Sequence, residues 1–242
     1  MQLIGHRGAR QEAPENTLGG FAYLAQLGLR AVEFDVRQLH DDILVVIHDA
    51  DLLRTTGQAT SVYDLSHADL EAIDQRHNWP DWQGTEPVAT LAQVLSQLDG
   101  FSHIEVEVKA VDSTEQASRL IKHILPLLDA WPAASITSFD LKVLQAVQKQ
   151  SPTQKRGLLI EMPLPIDAIV QTTLDLGCVR VGIKDSLCTA ELIDALHQHN
   201  LACSVWTVNS IDRAKQLQDW GADGLITDVP SQMLAANIGT IA

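Results

Sequence analysis

Glu33 and Asp35 stand two residues apart inside the apolar run "AVEFDV" (31–36). On a strand, residues two apart share a face, so both carboxylates project one way while Val32, Phe34 and Val36 project the other. Buried unpaired carboxylates are costly, so the pair calls for a cation. The run "HIEVEVK" (103–109) repeats the pattern, with Glu105, Glu107 and Lys109 on one face. Two histidines fall at apparent strand ends beside a charge, His6 before Arg7 and His48 before Asp49. Taken singly, each feature has a plain explanation: a solvated strand face for E-x-E-x-K, a structural histidine for His6, a core position for Trp206. Taken together they describe one chemistry. Three carboxylates on neighbouring strands make a hard oxygen site for Mg²⁺ or Ca²⁺ with positions open to substrate or water, and zinc fits less well because clustered His and Cys spacing is missing. Two histidines supply a general acid and a general base near neutral pH. Arg7 and Lys109 add donors for an anion. The sum is metal-assisted hydrolysis of a phosphate ester.

Such residues must be brought to one place by the elements that carry them. Short apolar runs at 103–109, 134–139, 156–161, 178–184, 202–208 and 223–228 alternate with segments whose apolar residues recur three and four apart, such as "LKVLQAVQKQ" and "AELIDALHQHN". Several of these segments start after Ser, Thr or Asp and end near Gly or Asn, as capped helices do. With "LIGHRG" and "AVEFDV" added, the count reaches eight strands, each followed by a helix. That repeat in 242 residues predicts a TIM (β/α)8 barrel, with an open doubly wound sheet as the alternative. In a barrel, functional side chains lie at the C-terminal strand ends, where His6, Arg7, Lys184 and Trp206 fall. One segment breaks the rhythm: after "HDD" and "ILVVIHD" comes aperiodic Pro-, Trp- and Asp-rich sequence up to Thr90. It reads as a hairpin extension of the second strand followed by an insertion, residues 49–90, within one domain spanning 1–242, before a helix starting near Leu91. Insertions in βα loops lie on the face where chemistry occurs.

Composition bounds the partners. Hydrophobic residues make up 45% of the chain, enough for one filled core. A net charge of −14 with 17 Lys+Arg argues against nucleic acid or an anionic membrane as partner. It leaves room for a small anionic substrate, because an ion and a few cationic side chains can invert the field in one cleft. With no apolar run near the ~20 residues of a membrane span and no signal-peptide pattern at Met1, the expectation is a cytoplasmic chain without a membrane anchor. Cys178, Cys188 and Cys203 are expected to be buried thiols, and His40, His67, His77, His123, His197 and His199 surface residues. Homo-oligomerisation is left open.

With these residues in hand, the chain resembles the glycerophosphodiester phosphodiesterase family. The resemblance rests on "HRG" (6–8), "PENT" (14–17), "EFDV" (33–36), "HDADLLRTT" (48–56), "EVK" (107–109), "TSF" (137–139), "WTVN" (206–209) and "GLITD" (224–228), in order along nearly the whole chain. It implies a (β/α)8 barrel with a small insertion after strand two, and hydrolysis of glycerophosphodiesters such as glycerophosphocholine or glycerophosphoethanolamine to glycerol 3-phosphate and the free alcohol. Carried over by position, it implies that Glu33, Asp35 and Glu107 bind the divalent cation and that His6 and His48 are the acid/base pair. It further implies that Arg7 and Lys109 contact phosphate and that Asn16 and Trp206 line the pocket. His6 is the expected proton acceptor and His48 the donor. Two positions depart from the pattern. Asp41 and Asp42 stand where the family's turn has Asp-Gly, which should affect the hairpin alone. Glu105 stands where Asn is expected; it could be a further ligand, could raise a neighbour's pKa, or could lie below the metal in a barrel layer paired with a cation, the last being favoured. A barrel phosphodiesterase acting on lysophospholipids is the alternative enzyme, requiring an apolar mouth for which Trp79 and Trp82 of the insertion are candidates. A catalytically silent binding module is the other, against which stands the complete set of His6, Glu33, Asp35, His48 and Glu107.

Overall fold

The computed structural model describes residues 1–240. The chain begins with β1 (Gln2–His6), α1 (Leu18–Gln26), β2 (Ala31–Gln38) and β3 (Leu44–Val46), then α2 (Leu53–Thr56) and α3 (Leu91–Gln97). A regular repeat follows: β4 (His103–Val108), α4 (Thr114–Leu128), β5 (Ala134–Ser138), α5 (Leu141–Gln150), β6 (Arg156–Ile160), α6 (Ile166–Asp175), β7 (Arg180–Lys184), α7 (Ala190–Gln198), β8 (Ala202–Trp206), α8 (Ile211–Asp219), β9 (Gly224–Thr227) and α9 (Pro230–Ala235).

β1 pairs in parallel with both β2 and β9, and this double pairing closes the sheet. The ring runs β1-β2-β4-β5-β6-β7-β8-β9 with every neighbouring pair parallel, a closed TIM barrel rather than the open sheet. β3 lies outside the ring, antiparallel to β2, as the hairpin expected from "ILVVIHD". The helices start where the sequence offers caps: the side chains of Thr17, Ser113, Asp140, Thr189 and Ser210 each accept a bond from a backbone N–H of the first turn. Each helix then turns an apolar stripe to the sheet, as Leu120, Ile121, Ile124 and Leu128 do on α4. Strand edges are tighter than apolarity implies. β7 starts at Arg180 rather than 178 because the Cys178 N–H is taken by the Thr173 carbonyl at the end of α6. The three cysteines are buried free thiols, and among the described residues no helix is long and apolar enough to cross a membrane.

The departure at Asp41 and Asp42 reaches beyond the hairpin to which it was expected to be confined: Asp42 takes the left-handed conformation at φ 69° and its carboxylate meets Arg119 of α4 at 2.6 Å, while Asp41 Oδ2 accepts from the His67 N–H of the insertion at 2.9 Å. Beyond the hairpin, the insertion has an apolar cluster of its own, with Val62, Leu65, Leu70, Ile73 and Val88 packed on Val45 and Ile47. It is tied to the barrel through a buried carboxylate. Glu86 accepts from the Gly19 N–H at the start of α1 (3.0 Å) and from Trp82 Nε1 (2.8 Å). Glycine at position 19 lets this contact form as it stands, since a Cβ there would lie 1.9 Å from the Glu86 carboxylate and the side chain would have to shift. Removing the carboxylate strands two donors, and an unsatisfied buried donor costs about 1–3 kcal/mol. Glu86→Ala is therefore expected to destabilise the protein by about that amount in urea unfolding, and Glu86→Gln, which keeps one acceptor, by less. An unchanged midpoint for Glu86→Ala would mean that the insertion is held by other contacts.

Candidate active site

The C-terminal ends of β1, β2 and β4 build one cavity, because strand register places their acids side by side. His6 is in register with Glu33, Glu33 with Glu105, and Asp35 with Glu107. Like charges opposite one another destabilise a sheet, so this register needs positive charge nearby. Oxygens of Glu33, Asp35 and Glu107 come within 4.8 Å of one another, and all three residues are buried. Their neutralisers are at hand. Arg7 Nε lies 3.1 Å from Asp35 Oδ2, and the Lys109 ammonium lies between Asp35 Oδ1 (2.5 Å) and Glu107. Asn16 sits behind this layer, buried, giving its Nδ2 to Asp35 Oδ2 at 2.8 Å rather than to the cavity. Glu33 Oε1 is buried without a hydrogen-bond partner. An orphaned carboxylate oxygen beside two further carboxylates is the donor set of a hard divalent cation, and the residues fit one.

β1 ends in a tight turn in which Arg7 (φ 51°) and Gly8 (φ 88°) are both left-handed. The turn aims the Arg7 backbone N–H at Glu33 Oε2 (3.3 Å) and leaves the His6 ring facing inward. His6 Nδ1 lies 2.6 Å from Asp228 Oδ1, while Nε2 is 3.8 Å from Glu33. His48 repeats the arrangement, its Nδ1 2.8 Å from Asp49 Oδ1 and its carbonyl held by Arg37. A carboxylate can only accept, so each ring carries its proton on Nδ1 and presents Nε2 to the cavity. Asp49 is fixed in turn by Arg54, which reaches Glu15, and Glu15 also accepts from Arg7. One chain of charges thus runs from the insertion to the floor of the site.

Burial dominates the electrostatics. It pushes Glu33 well above the ordinary carboxylate range, with the Asp35 charge adding to it, and the same two causes raise Glu107 to about 7. For Asp35 burial is outweighed by Lys109 and Arg7, which hold it well below that range. Burial lowers both histidines, so both imidazoles are neutral at neutral pH. Glu105 lies one layer down and is fully buried, in an ion pair with Arg180 and bonded to His103 (2.9 Å) and Ser204 (3.1 Å). Burial alone would raise it, but Arg180 leads the contacts that bring it to about 2. This is the barrel-layer placement favoured from the sequence.

The cavity has a volume of about 280 Å³, and Trp206, Phe139, Leu159 and Glu161 form its far wall. The Phe139 and Trp206 rings meet edge to face at 5.5 Å. Lys184, another strand-end residue, is exposed and not part of the lining. Trp79 and Trp82 do not reach the mouth: they pack on each other at 6.2 Å, and Trp82 on Tyr23 at 6.4 Å, bracing α1. The sequence profile of the glycerophosphoryl diester phosphodiesterase family matches residues 6–232. The chain belongs to that family. A glycerophosphodiester phosphodiesterase of Caldanaerobacter subterraneus is 27% identical over 235 residues, covering 96% of both chains. A lysophospholipase D of Rattus norvegicus is 25% identical over 263 residues, covering 95% of this chain and 84% of that one. Among solved structures, an Oleispira antarctica phosphodiesterase in complex with the product sn-glycerol-3-phosphate superimposes with a TM-score of 0.89 at 25% identity, covering 98% of this chain and 96% of the other.

In this phosphodiesterase barrel, Asp49 was noted beside His48 in the sequence, and three further residues hold the site without having been singled out by the spacing of acids and histidines: Asp228, Glu15 and Arg54. Each lies inside a family motif, in "GLITD", "HDADLLRTT" or "PENT", yet what it holds is apparent only in three dimensions.

A divalent cation held by these carboxylates would bind with a defined pH dependence, because Glu33 and Glu107 are both raised. A cation binds the ionised carboxylates, so below a pKa of about 7 for Glu107 it must displace protons, and above it the displacement falls away. Affinity for Mg²⁺ or Ca²⁺ is therefore expected to climb with pH between about 6 and 8, and binding at neutral pH in weak buffer to release about one proton or more per ion. Calorimetry in buffers of different ionisation enthalpy measures both. A flat affinity without proton release would mean that the carboxylates are ionised before the cation arrives.

Proposed function

We propose that this chain hydrolyses glycerophosphodiesters to glycerol 3-phosphate and the free alcohol, with a divalent cation on Glu33, Asp35 and Glu107 and with His6 and His48 as base and acid. The observation that carries this reading is the convergence of three carboxylates within 4.8 Å of one another and two Nε2 atoms on one cavity, with Glu33 Oε1 lacking any partner. Bound there, the ion would polarise the phosphoryl group and lower the pKa of an attacking hydroxyl, from water or from the substrate's glycerol. His6, buried and neutral with its Nδ1–H on Asp228, accepts the proton at Nε2. His48 is the more open ring, 34% exposed against 11% for His6, and stands where a departing alcohol can leave. Its pKa rises beside an anionic phosphodiester, which equips it to give the proton. Arg7 and Lys109 line the cavity and supply positive charge for the phosphate. Asn16 holds the Asp35 carboxylate in place. Trp206 Nε1 and Thr137 Oγ1 are buried without partners at the cavity wall and can bond substrate oxygens. The product complex of the Oleispira relative supports the choice of substrate.

General acids and bases typically contribute about 10²- to 10⁴-fold. His48→Ala is expected to lower turnover of glycerophosphocholine by that order while cation affinity stays near wild type. A nitrophenyl ester needs little protonation as it departs, so the variant should recover much of its activity on it, whereas His6→Ala should stay poor on both substrates. Equal losses on both substrates for His48→Ala would refute the donor role, and full activity after thorough chelation would sink the metal-dependent mechanism.

A further inference from the structure

One acid of the cavity has no part in the proposed mechanism. Glu105 is fully buried, and its carboxylate is engaged on one side only. Arg180 Nη1, His103 Nε2 (2.9 Å) and Ser204 Oγ (3.1 Å) all converge on Oε1. Oε2 is buried with no partner. A carboxylate oxygen kept from both water and donors is costly, so it calls for an occupant.

The free oxygen has one place to turn. Arg180, His103 and Ser204 lie outside the lining of the catalytic cavity, whereas Glu105 is part of it. Glu105 precedes Glu107 by two residues on β4, which puts it roughly 6–7 Å along the strand below the level of Glu107. Leu159 and Ile226 line the same depth, two residues below Glu161 and Asp228. The floor of the cavity thus offers one acceptor among apolar walls.

Charge decides what that acceptor can receive. The Arg180 guanidinium already neutralises Glu105. A second cation at Oε2 would have to leave water for apolar neighbours with no further charge to balance it. A neutral O–H loses far less on entering and makes a charge-assisted bond once there. A choline head group has no O–H, and an ethanolamine head group ends in an ammonium ion. The glycerol carries the hydroxyls. With the phosphate at the level of Glu107, the terminal hydroxyl of a three-carbon polyol reaches to about the depth of Glu105, and the middle one stays nearer the phosphate.

On the proposed reading of the site, on which this inference rests, we propose that Glu105 determines specificity, its Oε2 accepting a hydrogen bond from the terminal hydroxyl of the substrate's glycerol. A glycerol in which that oxygen is missing leaves Oε2 unpaired and is turned over less well. The contact also orients the diester, glycerol inward and head-group alcohol toward the mouth.

The test compares glycerophosphocholine with one analogue lacking the terminal hydroxyl of the glycerol and another lacking the middle one. Wild type, Glu105→Gln, Glu105→Asn and Ser204→Ala are assayed on all three. Loss of the terminal hydroxyl is expected to lower wild-type kcat/KM by about 10- to 150-fold, the worth of a hydrogen bond to a charged group. In Glu105→Gln, whose amide keeps the shape and reach, the same loss should cost about 2- to 10-fold, the worth of a neutral bond. In Glu105→Asn, one methylene too short, it should cost nothing. Taking the ratio of two substrates within one variant cancels any general loss from disturbing Arg180. Ser204→Ala removes a bond to Oε1 and leaves Oε2 alone, so it should keep the wild-type ratio. The penalty for the middle hydroxyl should be the same in all four proteins. No penalty in wild type, or an undiminished one in the Glu105 variants, overturns the proposal. So does a penalty tied to Glu105 for the middle hydroxyl alone, or a ratio that collapses equally in Ser204→Ala. If no phosphodiester is turned over at all, the catalytic reading fails separately. The floor is then judged by calorimetric binding of glycerol 3-phosphate against its analogue without the terminal hydroxyl, and the same ratios support or refute it.

Discussion

The structure is organised around a repulsion. Three carboxylates occupy one buried corner of the barrel, within 4.8 Å of one another, where their mutual field and the loss of water both oppose ionisation. Most polar contacts nearby answer that repulsion. Arg7 and Lys109 bring positive charge to Asp35, Asn16 donates to it, and Glu33 and Glu107 stay protonated more readily than ordinary carboxylates. The result is a site with one carboxylate kept ionised and two that would ionise to hold a cation. A cluster of like charges is retained at the expense of stability, so folding alone does not account for it.

Much of this was legible in one dimension. The two-residue spacing of Glu33 and Asp35 and of Glu105 and Glu107 fixes their shared faces as soon as the segments are strands, and parallel register then aligns the pairs. The alternation of strands and helices determined the closed barrel well enough that the observed edges differ by only a few residues, as at β7, where a helix terminus claims the Cys178 N–H. Glu105 could be placed because a carboxylate inside a barrel must find a cation, although the sequence could not say that Arg180, three strands further round the ring, would supply it.

Other parts were illegible because they depend on closure or on aperiodic packing. Asp228 lies 222 residues from His6, and the two meet because the last strand pairs with the first. No local pattern encodes that contact. Arg54 and Glu15 meet through the fold of an insertion with little periodicity to read. Trp79 and Trp82 looked like a lipid-facing mouth by composition, yet aromatic residues are as apt to brace a helix as to greet a ligand, and here they brace α1.

The insertion's separate apolar cluster has a bearing on how the protein fails when heated. His6 is anchored to the barrel wall, but His48 is held by Asp49 and Arg54, whose places depend on the insertion. Elements with small cores and few ties open locally at lower free energy than the framework that carries them. On the proposed mechanism, one half of the proton-transfer pair therefore depends on a unit with an apolar cluster of its own. Thermal inactivation is then expected to begin with the opening of the insertion, and to be reversed on cooling as long as the barrel beneath remains closed.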